Sequence, residues 1–180
     1  MKNRILSLTA LGLALVGAGF TASFAEAATR RVEHANANAQ GGVTATAVGV
    51  HQGASGSAAR RRAVKTDGQG NATVVSGAAV KGANGATAVR AGKTTVAADG
   101  SAQHQSGISA QSAKGSVQSS GSASRDAAGN VTQARSSTVT SAATGDTMKT
   151  NSSYSKDTGL THSASCFDAG GASITCPTRP

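Results

Sequence analysis

From Val64 onward small β-branched and polar side chains alternate, and glycine interrupts the alternation at a nearly fixed interval. Gly70, Gly85, Gly100, Gly115, Gly129, Gly145 and Gly159 are 15, 15, 15, 14, 16 and 14 residues apart, with Gly77, Gly92, Gly107 and Gly121 near the half-steps. Period-two alternation assigns successive side chains to opposite faces of a strand. Glycine tolerates the positive φ of tight turns, so this punctuation predicts a chain that keeps turning back. The pattern predicts an all-β fold, an antiparallel meander of short strands of about five or six residues. Expected strands cover 72–76, 86–90, 93–97, 103–106, 116–119, 131–136, 138–141, 147–152 and 160–166. A β-solenoid is the alternative, since it needs turns at the same interval. It would keep one apolar column through every coil, whereas Val74 is followed at the repeat interval by Val89, His104 and Ser119, which favours the meander.

One turn formula recurs. It reads Thr66-Asp67-Gly68-Gln69-Gly70-Asn71-Ala72-Thr73 and again Arg125-Asp126-Ala127-Ala128-Gly129-Asn130-Val131-Thr132. Shortened forms are Lys156-Asp157-Thr158-Gly159-Leu160-Thr161 and Phe167-Asp168-Ala169-Gly170-Gly171. Aspartate opens such a turn by accepting backbone N–H bonds, and glycine or asparagine near its end takes the left-handed conformation. The formula resembles the D-x-x-G-N-x-T core of secreted YD-type repeats, although Phe167 is the only aromatic directly before such an aspartate. The block from His104 to Gln133 also resembles small exported proteins of Gram-negative bacteria, which implies a compartment rather than a mechanism. In its richness in Gln, Asn, Gly and Ser the chain is similar to curli-type amyloid subunits.

The N-terminus changes what counts as the fold. Lys2 and Arg4 precede an apolar run from Ile5 to Phe20, and Ala25-Glu26-Ala27 offers small residues around a cleavage site. Residues 1–27 are therefore expected to be a signal peptide forming a helix, cleaved after Ala27, which places the mature chain in the periplasm, on the cell surface or outside the cell. Residues 28–62, rich in Ala, Asn, Gly, Gln, Ser and Arg, are expected to be a flexible basic lead-in, with 43–50 a β-prone island within it. The β-repeat region would span 63–165, and 166–180 would be a disulfide-stapled hairpin and tail. Cys166 and Cys176 are the only cysteines, and in an exported chain that pair reads as one disulfide around the turn residues Asp168 to Gly171.

Composition then limits how firmly the pattern can hold. The mature chain has 17 Leu, Ile, Val and Phe residues, thirteen of them valine. That is well below the roughly 20% at which a charged chain becomes a candidate for disorder, and substantial disorder is expected. The mature chain carries 15 Lys and Arg against 7 Asp and Glu, a net charge of +8. Arg60-Arg61-Arg62, with Lys65 near, is the densest cluster and the candidate contact for a polyanion.

Catalytic chemistry finds little support. Gly92-Lys93-Thr94 has the tail of a phosphate-binding loop, but position 87 is threonine where the motif needs glycine. There is no G-x-S-x-G, and His34, His51, His104 and His162 lie far apart without carboxylates at metal-ligand spacing. Asp67 with Asn71 and Asp126 with Asn130 offer oxygens that suit calcium, yet the turn formula accounts for them. Asn71-Ala72-Thr73, Asn130-Val131-Thr132 and Asn151-Ser152-Ser153 match a glycosylation sequon, as chance allows in a chain this rich in such residues. Tyr154 and Phe167 are the only aromatics after residue 27, too few for base-stacking platforms or the girdles of an outer-membrane barrel. The expectation is a non-enzymatic structural or surface and matrix interaction protein without cofactor or metal. It would self-associate through edge strands or, alternatively, bind anionic polymers such as lipopolysaccharide, acidic polysaccharide or extracellular DNA.

Overall fold

The computed structural model describes residues 28–177, and the targeting segment expected over 1–27 lies outside them. Eleven strands follow one another: β1 (Ala28–Ala37), β2 (Val43–Gly53), β3 (Gly56–Thr66), β4 (Ala72–Gly82), β5 (Thr87–Val96), β6 (Ala102–Ser112), β7 (Gly115–Arg125), β8 (Val131–Ser141), β9 (Thr147–Ser155), β10 (Gly159–Phe167) and β11 (Ser173–Ile174). They form one antiparallel sheet in chain order, and the described residues contain no helix. β1 and β11 lie at opposite edges, so the sheet is an open meander, neither a barrel nor a solenoid.

The strands are longer than the glycine spacing predicts. β4 to β8 run 10 or 11 residues, about twice the expected length. The reason is that the two sets of glycines play different parts. All seven ladder glycines, from Gly70 to Gly159, have positive φ, between 65° and 143°. The half-step glycines Gly77, Gly92, Gly107 and Gly121 lie inside β4, β5, β6 and β7 with extended backbone. Segments 86–90 and 93–97 therefore belong to one strand, β5, apart from its two ends, and 131–136 and 138–141 both belong to β8. Residues 28–62, expected as a flexible lead-in, hold β1, β2 and the first part of β3. Nor does the expected disorder extend to residues 28–177, which form strands and short turns throughout.

The turns follow their local chemistry. Asp67 Oδ1 accepts N–H bonds from Gln69 and Asn71, Asp126 Oδ1 from Asn130, and Asp168 Oδ1 from Ala172. The same device recurs where the formula does not reach, with Asp99 Oδ1 accepting from Ser101 and Asn84 Oδ1 from Ala86. In the turn containing Asp157 the acceptor is instead the Ser155 hydroxyl, which takes the Thr158 N–H at 3.1 Å.

Side chains fall into rows that run across the strands. One row reads Ala58, Val80, Ala88, Ala110, Val117, Val139, Met148, Cys166 and Ile174, from β3 to β11. Apolar character thus persists to the last strand, although valine thins out along the sequence. Hydroxyl pairs supplement it, as between Ser119 and Ser137 at 2.8 Å and between Ser124 and Thr132 at 2.7 Å. Among the described residues no second layer covers either face. Cys166, 4% exposed, is the only buried apolar residue among those described, while fourteen large apolar residues are exposed.

Adjacent turns are stitched together. At one end of the strands Asn38 Nδ2 donates to Thr66 O at 2.7 Å, Asn71 Oδ1 accepts from Ala98 N at 2.9 Å, and Arg125 Nη2 donates to Gly100 O at 2.7 Å. At the other end Ala83 N donates to Ser55 O and Ala142 N to Lys114 O, both at 3.0 Å. The Cys166–Cys176 disulfide, with Cα atoms 5.1 Å apart, ties the chain after β11 back to β10.

These two glycine classes predict opposite responses to alanine. At Gly115, φ is +143° and a Cβ would lie 2.0 Å from Thr140 O, so Gly115→Ala displaces the neighbouring strand end and sharply lowers the melting temperature. Gly129 has open space, so Gly129→Ala costs about 1–2 kcal/mol, the left-handed penalty alone. Gly77→Ala meets nothing closer than Arg90 O at 3.7 Å and stabilises by about 0.5 kcal/mol through the unfolded state. Thermal melts by far-UV circular dichroism rank the three; destabilisation by Gly77→Ala would contradict its place in mid-strand.

Candidate functional site

The sequence cluster Arg60-Arg61-Arg62 lies in mid-β3, where alternation divides it between faces. Arg60 and Arg62 share one face, and Arg61 and Lys65 share the other. The four residues singled out as one basic patch are therefore two patches. Following the registers outward, the face of Arg60 also carries Arg31, Arg90, Arg125 and Arg135. The opposite face carries Arg30, Arg61 and the strand lysines Lys65, Lys81, Lys93 and Lys149. One face is thus arginine-rich, and every lysine within a strand lies on the other.

On the arginine face Arg31, Gly49, Arg60, Ala78 and Arg90 occupy one row across β1 to β5. Small residues separate the arginines, and the long side chains use that room. A Cβ on Gly49 would sit 3.1 Å from Arg60 Nε, so the Arg60 stem lies across β2. Arg135 does the same over Gly121, reaching Ser119 Oγ at 2.9 Å on β7 and Ser106 Oγ at 3.4 Å on β6. Glu33, the only acidic residue within a described strand, forms a salt bridge with Arg31.

Sequence reading missed Arg31 and Arg90 as partners of Arg60. A signal for them existed. Arg31, Arg60 and Arg90 are 29 and 30 residues apart, close to two glycine intervals, and two intervals make one hairpin that returns the chain to the same row.

The lysine face is recessed at mid-strand. Small residues such as Ala91, Gly107, Ser120 and Ser136 floor an open trough of about 880 Å³ spanning β4 to β10, with Lys93, Gln105 and Asn151 along it. It contains no paired carboxylates. Lys149 stands 5.1 Å from the Phe167 ring centre on the same face. Gly92-Lys93-Thr94 is strand on both sides, paired to β4 and β6, rather than a loop that cradles phosphate. His51 and His104 bond to threonine hydroxyls across the strands, at 3.1 Å to Thr29 and 2.8 Å to Thr94. Among the described residues no group of three His, Cys, Asp or Glu is placed to hold a metal ion.

The turn aspartates carry the clearest electrostatic perturbation. The Asn71 side chain and then the Gln69 N–H hold the Asp67 carboxyl below the ordinary carboxylate range. Asn130 does so for Asp126 through side chain and backbone, and Ser101 for Asp99. A depressed folded-state pKa means stability present above the ordinary carboxylate value and lost as pH falls through the lowered one. Acidification from pH 6 toward pH 2 is therefore expected to loosen the Asp67, Asp99 and Asp126 turns together. Asp126→Asn should flatten that acid dependence in far-UV melts, and an unchanged acid transition in this variant would remove Asp126 from the account.

Comparison with protein-family models, with curated proteins and with solved structures returns no match for this chain.

Proposed function

We propose that the mature chain is an exported, non-enzymatic structural protein of the periplasm, cell surface or extracellular matrix that assembles through its sheet edges. The observation that supports this most directly is a sheet without a core whose two edges are open. Among the described residues β1 pairs only with β2, and β11 pairs only with Cys166 and Phe167 of β10, leaving the outer side of β10 from Gly159 to Ser165 without a neighbouring strand. Unpaired edges template further strands. In a meander the odd strands run one way and the even strands the other, so β10 of one copy and β1 of the next continue the same antiparallel alternation. The contact is heterologous, so it adds copy after copy unless the rotation between them closes a ring. β1 brings Arg30, Arg31, Glu33 and His34 to that seam, while β10 brings only His162, so no pair of arginines opposes the join. The Cys166–Cys176 disulfide is compatible with an oxidising compartment.

A second reading, binding of anionic polymers, is supported by the net charge of +8 on the mature chain and by the arginines sharing one face.

Edge-blocked variants test assembly. Val32→Pro interrupts β1 and Ser163→Pro interrupts β10, each first checked for an unchanged far-UV spectrum. Sedimentation should show oligomers for the mature protein, monomers for each variant alone, and a complex limited to two chains for their equimolar mixture. A wild-type chain that stays monomeric and thioflavin-negative at high concentration would overturn the assembly reading. Dimers of Ser163→Pro alone would replace it with pairing of β1 to β1.

A further inference from the structure

The geometry points to a comb of arginines on β1, β3 and β5 as a binding site for a linear acidic polysaccharide lying across the strands. This rests on the reading of the chain as a binder of anionic polymers and gives it a face, a direction and a ligand class.

The comb is built by register. Arg31, Arg60 and Arg90 stand on alternate strands of one row, with Gly49 and Ala78 between them. Neighbouring strands lie about 4.8 Å apart, so successive arginines of the comb are about 9.5 Å apart. Arg62 stands two residues from Arg60 on the same face and widens the comb at its centre. Arg60, Arg62 and Arg90 are exposed. The nearest carboxylate in the sheet is Glu33, bound to Arg31, so the patch keeps a clear positive excess. Beyond β5 the row continues as Ile108, Ser119, Ser137 and Thr150, and its charge stops there.

Charge alone would suit any polyanion; the spacing and the surroundings narrow the class. The guanidinium plane matches a carboxylate or sulfate with two parallel hydrogen bonds. A row of such groups separated by small neutral residues suits a polymer whose single charges are separated by uncharged stretches. Acidic polysaccharides have that form, with carboxylates or sulfates on an otherwise hydroxylated chain. Nucleic acid fits less well. β1 to β5 carry no Phe, Tyr or Trp side chain on which a base could stack, and the described residues include no helix to enter a groove.

Two double variants separate the comb from general basicity. Arg60→Gln with Arg90→Gln removes two teeth, whereas Arg61→Gln with Lys65→Gln removes the same charge from the opposite face. Binding of alginate and dextran sulfate at low salt, measured by calorimetry on the oxidised mature protein, should weaken about tenfold or more in the first pair. It should change less than about twofold in the second, and wild-type affinity should fall steeply with added salt. Equal losses in the two pairs would overturn the comb while leaving polyanion binding standing. No affinity of the wild type for either polymer at low salt would overturn that broader reading as well. A duplex DNA bound as tightly, with the same dependence on Arg60 and Arg90, would overturn the polysaccharide assignment.

Discussion

Each strand between the two edges of this sheet is held by its two neighbours and by nothing above or below, because the described residues include no second layer to bury a face. Folding of an ordinary domain removes apolar surface from water on one side of each sheet and so fixes strand positions from that side. Here that restraint is missing across ten long strands, and Cys166 alone among the described apolar residues is buried. The burden passes to the backbone ladder, to cross-strand pairs and to the turns. That is why the turns are so heavily wired. Asn38, Asn71 and Arg125 each reach from one connection to the backbone of the next, and the hairpins at Gly56 and Gly115 accept the adjacent chain end through carbonyls.

The same constraint explains the spread of glycine and other small residues through the strands. With no opposing layer to fill, mid-strand positions need no bulk, and Ala91, Gly107 and Ser120 leave the recess on the lysine face. On the other face Gly49 and Gly121 give room for arginine stems to lie flat across a neighbouring strand. A long side chain lying over a glycine covers backbone that would otherwise face water and keeps its charge at the surface. The sheet is thereby partly covered by its own cations.

Chemistry follows from which face a residue occupies. Arg60 and Arg61 are adjacent in sequence and face opposite ways; Arg31 and Arg90, dozens of residues away, share a row with Arg60. The two faces therefore differ in kind, one with fork-shaped donors at regular intervals and one with a hydroxyl- and amide-lined trough that carries the point charge of Lys93. Open edges and two unlike faces make the sheet a surface rather than a container.

Local rules accounted for what depends on a few adjacent residues. The all-β class, the meander, the turns opened by Asp67, Asp126 and Asp168, and the Cys166–Cys176 bridge were legible from alternation, glycine spacing and short motifs. Strand length was not legible from glycine spacing, because glycine permits both a left-handed turn and an extended strand, and the interval alone does not separate Gly77 from Gly70. β2 was legible in part, from the β-prone stretch 43–50, but β1 was not, since its Ala, Asn and Arg content reads as a solvated linker until a neighbour supplies the ladder. The arginine row belongs to the same class. That the chain turns at regular intervals, and which residues turn it, follows from short stretches of sequence. Which residues share a face emerges only in the folded sheet, because registry is set by hydrogen bonds between separate segments of the chain, and a shift of one residue would exchange the two faces.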